Sequence, residues 1–217
     1  MNKYIDHTSL KIDTGIQQLC AEAEEYKFRG ICIFPNRVTE ARKVFDGKIS
    51  TVINFPYGSN LNSLYEARLA RDNGADELDV VMNLTAFRRK KYKLVLIDLV
   101  NIVNVGLPVK VIVEEHYLSP DKLEIVYQIV KDSGAFCIKT STGVVSGATL
   151  KTVALWKSFG DLKIKAAGGI RTPLQIEQFI NEGVDIIGTS NGVQIIMKRK
   201  EFEDSKVNIM TKVKKQI

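Results

Sequence analysis

Short runs of β-branched and other apolar residues recur along this chain, separated by stretches with helical period. That alternation constrains the fold more than any other feature. The runs are YIDHT (4–8), GICIFP (30–35), STVINFP (50–56), ELDVVMN (77–83), VKVIVEE (109–115), FCIKTST (136–142), LKIKAAG (162–168) and DIIGTS (185–190). Most read as continuous rather than strictly alternating, as expected of parallel strands covered on both faces. Between them Ile16, Leu19, Cys20 and Ala23 fall at i, i+3, i+4 and i+7. So do Leu96, Leu99, Val100 and Val103, and again Leu123, Val126, Tyr127 and Val130.

Boundary residues agree. Ser119-Pro120 and Thr172-Pro173 each place an N-cap residue before a proline at the first helical position. Gly30, Gly47, Gly74, Gly106, Gly134, Gly160 and Gly183 each follow a helical stretch. Strict βα alternation implies a parallel sheet with right-handed crossovers. Eight strands in 217 residues point to one α/β domain over 1–217, a (β/α)₈ TIM barrel. An open doubly wound sheet is the competing topology. The charged segment from about residue 200 is expected to be a final helix or a frayed tail.

In such a barrel the reactive groups gather at the carboxyl ends of the strands. The polar residues in late strand positions are Asp6 and Thr8, Asp79, Lys139 with Ser141 and Thr142, Lys165, and Ser190. Lys139 and Lys165 lie on consecutive strands, hence side by side. Alternation puts Cys137, Lys139 and Ser141 on one face, taken as the interior. Lysine is rarely buried without compensation. A second ammonium and loss of water both favour a neutral amine, the form that attacks a carbonyl to make a Schiff base. Asp79 could hold Lys165 charged and move protons. The plain alternative is a pair of lysines reaching from strand ends to solvent.

A second constellation is AAGGIR (166–171) with GTSNG (188–192). Loops after strands seven and eight form the common phosphate site of these barrels, and glycine lets the backbone approach an anion. Gly168, Gly169, Gly188 and Ser190 fit that site, and Gly143 could join from the loop after strand six.

Other functions are poorly served. Cys20, Cys32 and Cys137 offer no metal-ligand spacing, and only His7 and His116 could add imidazole. The net charge of +6 comes from dispersed basic residues. Its runs, such as RRKKYK (88–93), read as solvated helix faces rather than a nucleic-acid surface. A mild positive bias suits a small anionic substrate. No run approaches a membrane span, and the N-terminus lacks a signal-peptide core, so a cytoplasmic protein with no metal, nucleic-acid or membrane partner is expected.

The motifs IDHTSL, ICIFP, NFPYG, GADELDVVMN, KTSTG, KAAGGIR and GTSNG follow one another over residues 4–192. In that order they resemble the 2-deoxyribose-5-phosphate aldolases, class I enzymes of the (β/α)₈ type. The resemblance implies reversible cleavage of 2-deoxy-D-ribose 5-phosphate to D-glyceraldehyde 3-phosphate and acetaldehyde, without cofactor or metal. It implies that Lys139 forms the Schiff base, that Lys165 is the second lysine tuning its amine, and that Asp79 joins Lys165 in a proton relay. Asp6, Thr8 and Cys32 would serve the substrate pocket. Gly143, Gly168, Gly169, Gly188 and Ser190 would hold the phosphate. Where many relatives have a glycine- and proline-rich loop or a basic residue after KTSTG, this chain has VVSGAT. EEHYL replaces the usual pattern after strand five, which leaves His116 as a rim or surface residue. Another sugar-phosphate aldolase and a non-catalytic sugar-phosphate binder are the alternatives. A homo-oligomer, dimer or tetramer, is expected, joined through outer helices.

Overall fold

The computed structural model describes residues 1–59 and 62–214, with side chains described through residue 205. Eight parallel strands close into a barrel in chain order. They are β1 (Ile5–Thr8), β2 (Gly30–Ile33), β3 (Lys48–Ile53), β4 (Glu77–Val81), β5 (Val109–Ile112), β6 (Cys137–Lys139), β7 (Lys163–Ala167) and β8 (Ile186–Thr189). Around them run α1 (Ile16–Glu25), α2 (Val38–Arg42), α3 (Ser63–Asp72), α4 (Leu84–Arg88), α5 (Tyr92–Val103), α6 (Leu123–Asp132), α7 (Leu150–Ser158), α8 (Pro173–Asn181) and α9 (Gly192–Lys214). The closed barrel excludes the open sheet. The terminal segment is helical through Lys214, and a frayed tip over 215–217 lies outside the described residues.

Each strand overlaps one of the apolar runs, and in all but β1 the end of the run turns into the loop above the barrel. In the run after β5, Glu114 is buried with φ +35°, a left-handed conformation that ends the extended chain. The stripes of α1 and α6 are buried as the spacing requires. On α5 the buried residues are instead Val95, Leu99 and Ile102; the helix is apolar nearly all round, so its period alone does not fix the inward face. Thr172 caps α8 with a reciprocal capping box to Gln175, and Pro173 follows at N1.

The apolar residues of the strands largely face the helices. Leu78, Val80, Val111, Ile138, Ile164 and Ile187 belong to the main core cluster. Their alternates turn inward, and in the middle of the barrel these are polar: Asp6, Ser50, Asp79, Lys110, Lys139 and Lys165, each at most 3% exposed. TIM-barrel interiors are ordinarily filled with branched apolar side chains. A buried ion cluster is a poor substitute as a source of stability, because desolvation offsets most of its Coulomb gain. The departure points to chemistry.

Candidate active site

The register of β6 and β7 pairs Lys139 with Lys165 directly. Both ammonium groups converge on one carboxylate oxygen. Asp79 Oδ2 accepts from Lys139 Nζ at 2.8 Å and from Lys165 Nζ at 2.8 Å. The Cys32 thiol also approaches it, at 3.7 Å. Lys165 makes a second bond, to Asp6 Oδ2 at 2.6 Å. The other Asp79 oxygen, Oδ1, accepts from Lys110 Nζ at 2.8 Å.

The cluster continues toward the amino ends of the strands. Lys110 Nζ also reaches Glu77 Oε2 at 2.7 Å and Ser50 Oγ at 3.0 Å. Arg29 Nη2 holds both Glu77 oxygens, at 2.6 and 2.8 Å, and its Nη1 binds Asp6 Oδ1 at 2.7 Å. Half-exposed Lys48 closes the base on Glu77 Oε1 at 2.7 Å. Sequence reasoning missed Lys110, Arg29 and Glu77, because it searched only late strand positions and these lie early. The signal was present: Lys110 interrupts the apolar run VKVIV, and Glu77 shares a face with Asp79.

Electrostatics follow from these contacts. Burial pushes the Asp79 carboxyl up, but the ammoniums of Lys110, Lys139 and Lys165 outweigh it and hold it well below the usual carboxylate range. Burial likewise opposes Asp6, and Lys165, Lys110 and Arg29 bring it down. Glu77 is lowered despite burial by Lys110, Arg29 and Lys48. Burial works against a charged Lys165, yet Asp6 and Asp79 raise it well above an ordinary lysine. Lys110 is raised in the same way, chiefly by Asp79. Burial and the adjacent Asp79 carboxylate push the Cys32 thiol up, so it is no ready nucleophile.

These shifts set the pH dependence of stability. A carboxylate lowered by folding stabilises the fold above its unfolded pKa, near 4, and that contribution is lost as pH falls through the folded value. A lysine raised by folding contributes fully below about 10.4 and loses it only above that pH. Thermal melts should therefore be flat from about pH 5 to 9, with Tm falling on the order of 10 °C by pH 3. Circular dichroism melts across that range check it; a Tm unchanged at pH 3 would contradict the ion-pair geometry.

Above the cluster opens a cavity of about 320 Å³. Of the three fully or nearly buried lysines, only Lys139 lines it. Thr8, Thr142, Gly143, Gly168, Gly169, Gly188 and Ser190, all singled out in the sequence, line it. Asp6 and Cys32 do not: both are fully buried in the layer beneath. Their inward position was legible, but alternation gives no depth along the barrel axis. His116 is exposed against Tyr117, as expected.

The glycines have distinct jobs. Gly168 has φ +90°, and a Cβ there would lie 2.8 Å from the Ser146 carbonyl, so its bareness seats the loop after β6 against that after β7. A Cβ at Gly188 would approach Lys165 Cε to 3.1 Å, so that glycine makes room for the lysine. Glu114 accepts from the amide and the hydroxyl of Thr142 and fixes the start of the β6 loop. The ionisable residues lining the cavity are Lys11, Lys139 and Arg171, all basic and none acidic. Lys11 and Arg171 sit in the loops after β1 and β7, which flank the β8 loop on either side. No group of His, Cys, Asp and Glu that could hold a metal occurs among the described residues.

No family model matches the chain. A deoxyribose-phosphate aldolase of Dictyoglomus turgidum is 41% identical over 214 residues, covering 90% of this chain and 98% of that one. The chain belongs to the deoxyribose-phosphate aldolase family. A deoxyribose-phosphate aldolase of Thermococcus kodakarensis is 40% identical over 89% of this chain and 94% of its own. Among solved structures, the aldolase QR15 superposes with TM-score 0.88 at 36% identity, covering 92% of this chain and 96% of its own. A tetrameric deoxyribose phosphate aldolase from Aeropyrum pernix gives TM-score 0.82 at 32% identity, over 93% and 91%. As a deoxyribose-phosphate aldolase, the protein is a carbon–carbon lyase. No helix of the described residues is long and apolar enough to cross a membrane.

Proposed function

We propose that the protein cleaves 2-deoxy-D-ribose 5-phosphate reversibly to D-glyceraldehyde 3-phosphate and acetaldehyde, with Lys139 as the Schiff-base nucleophile. The observation that carries this reading is that Lys139 alone joins the buried ion cluster to the cavity. Lys139 Nζ adds to the C1 aldehyde of the open-chain sugar, and loss of water leaves an iminium. A base takes the C3 hydroxyl proton, and the C2–C3 bond breaks. Its electron pair moves to the iminium as an enamine, and glyceraldehyde 3-phosphate departs. Protonation at carbon and hydrolysis release acetaldehyde and the free amine. The reverse sequence makes the bond.

Charge balance supports the division of labour. The carboxylates of the cluster are Asp6, Glu77 and Asp79, all buried, and the cations held against them besides Lys139 are the buried Lys110 and Lys165 and the partly buried Arg29. Lys48, half in water at the base, is only partly screened and adds less than a full charge. Three negative charges thus meet three positive ones when Lys139 is a neutral amine. Lys165, tied to Asp6 and Asp79, stays the cation. The Asp79–Lys165 pair shuttles protons through water on the cavity floor.

Distance from Lys139 orients the sugar, with the phosphate at the mouth. There the β8 loop runs through Ser190 into the N-terminus of α9, whose free amides favour an anion. Gly143, Gly168, Gly169 and Gly188 shape the approach. Lys11 and Arg171 supply the cationic charge that Val144, in the loop after β6, does not. Lys11→Met and Arg171→Met should each raise KM for the phosphorylated sugar about tenfold, a loss of ~1.4 kcal/mol per charged contact. KM for 2-deoxyribose should stay within about twofold. Equal changes for both sugars would place the phosphate elsewhere. Exposed Tyr65 and Leu69 on α3, with Leu94 and Ile97 on α5, give outer helices able to join copies of the chain into the proposed homo-oligomer.

A further inference from the structure

The reaction as proposed uses Lys139, Lys165 and Asp79 and leaves the lower half of the ion cluster without a role. That half is costly. Lys110 is fully buried and uses all three of its N–H donors, on Asp79, Glu77 and Ser50. Glu77 is buried at the opposite end of the barrel from the cavity and is held by Arg29, Lys48 and Lys110. A barrel interior built only for stability would be apolar here.

We propose that Glu77 is a positioning residue for catalysis: by sharing Lys110 with Asp79 it turns the Asp79 carboxylate so that Oδ2 alone serves Lys139 and Lys165. The chain of contacts is continuous. Glu77 Oε2 fixes Lys110, Lys110 occupies Asp79 Oδ1, and Asp79 Oδ2 is left to the two upper lysines. Ser50 sets the height of the arrangement, since its hydroxyl accepts from Lys110 at 3.0 Å and lies 3.3 Å from Glu77 Oε2. Arg29 bridges Glu77 to Asp6, so the carboxylate that anchors Lys165 rests on the same base.

The charged and titratable groups meeting in this cluster come from seven strands and the turn before β2. Glu77 meets Arg29 from that turn, Lys48 from β3 and Lys110 from β5. Asp79 meets Cys32 from β2, Lys110, Lys139 from β6 and Lys165 from β7. Asp6, on β1, meets Arg29 and Lys165. Removing the negative charge of Glu77 makes every ammonium of the cluster easier to deprotonate and harder to protonate. Both limbs of a bell-shaped rate profile then move the same way, toward acid, as properties of the coupled cluster rather than of one residue.

The inference deepens the Schiff-base reading and rests on it, so the test separates the two. Glu77→Gln keeps shape and removes charge. It should lower kcat about tenfold or more through misplacement of Asp79, leave KM within about twofold, and shift the pH–kcat profile to lower pH. Glu77→Asp should recover much of the rate and the wild-type profile. Lys48→Met, at a half-exposed residue that the fold can spare, removes a cation from the same carboxylate and should move the profile toward higher pH. If Glu77→Gln does not fold, that alkaline shift decides the matter. An unmoved profile in Glu77→Gln, or an unmoved one in Lys48→Met where Glu77→Gln cannot be read, would overturn the role of Glu77. Borohydride trapping in the same samples keeps the outcomes distinct. A wild-type adduct on Lys139 with unmoved profiles sinks only this inference, whereas an adduct elsewhere sinks the reading beneath it.

Discussion

Lys139→Ala is expected to abolish cleavage, with kcat/KM for 2-deoxyribose 5-phosphate falling ~10⁵-fold or more, the scale of losing a covalent nucleophile. The fold should survive. Asp79 keeps Lys110 on Oδ1 and Lys165 on Oδ2, and the cluster is left with three carboxylates against three cations. Tm should therefore stay within a few degrees of the wild type while activity vanishes. That dissociation is the informative part. A variant that lost activity and stability together would suggest a structural lysine, and one that kept a tenth of the wild-type rate would exclude Lys139 as nucleophile. Coupled reduction of the glyceraldehyde 3-phosphate released, read beside a thermal melt, supplies both numbers.

Lys165→Met should cost about 10³-fold in kcat near neutral pH, the combined scale of general acid–base help and a mischarged nucleophile. The methionine preserves length and apolar bulk but removes a cation bonded to Asp6 at 2.6 Å and to Asp79 at 2.8 Å. Three buried carboxylates would then face Arg29 and Lys110 alone, and Lys139 becomes the third cation. As an ammonium it cannot attack a carbonyl. The rate should recover partly as pH rises, and adduct formation should remain on Lys139 but slow down. Asp6 keeps Arg29 and Asp79 keeps Lys110, so neither carboxylate is stranded. A Lys165→Met enzyme with near wild-type turnover at pH 7 would show that the shared oxygen of Asp79 has no catalytic meaning.

Much of this was legible in the sequence, and the limits have physical causes. The eight strands could be read because apolar runs alternate with glycine-closed helices, and closure follows from their number. Lys139 and Lys165 were visible as lysines in apolar runs on consecutive strands. Lys110 satisfies the same criterion but sits early in its strand, where TIM-barrel reasoning expects only packing. The depth of Asp6 and Cys32 was hidden for a related reason. Side-chain alternation assigns a face, while height along the axis depends on strand tilt and stagger. The short helices α2 and α4 carried no readable stripe over five residues each. The inward face of α5 was misplaced because Leu, Ile and Val surround that helix.

The role of Lys139 is tested most directly by trapping. The wild-type enzyme is incubated with acetaldehyde, quenched with borohydride and mapped by peptide mass spectrometry, with the Lys139→Ala variant in parallel. Reduction of the iminium should leave one ethyl group per chain, on Lys139, and none at that stoichiometry in the variant. A stoichiometric adduct on Lys165 or Lys110 with Lys139 unmodified, or a wild-type enzyme that turns over substrate yet traps nothing, would contradict the account.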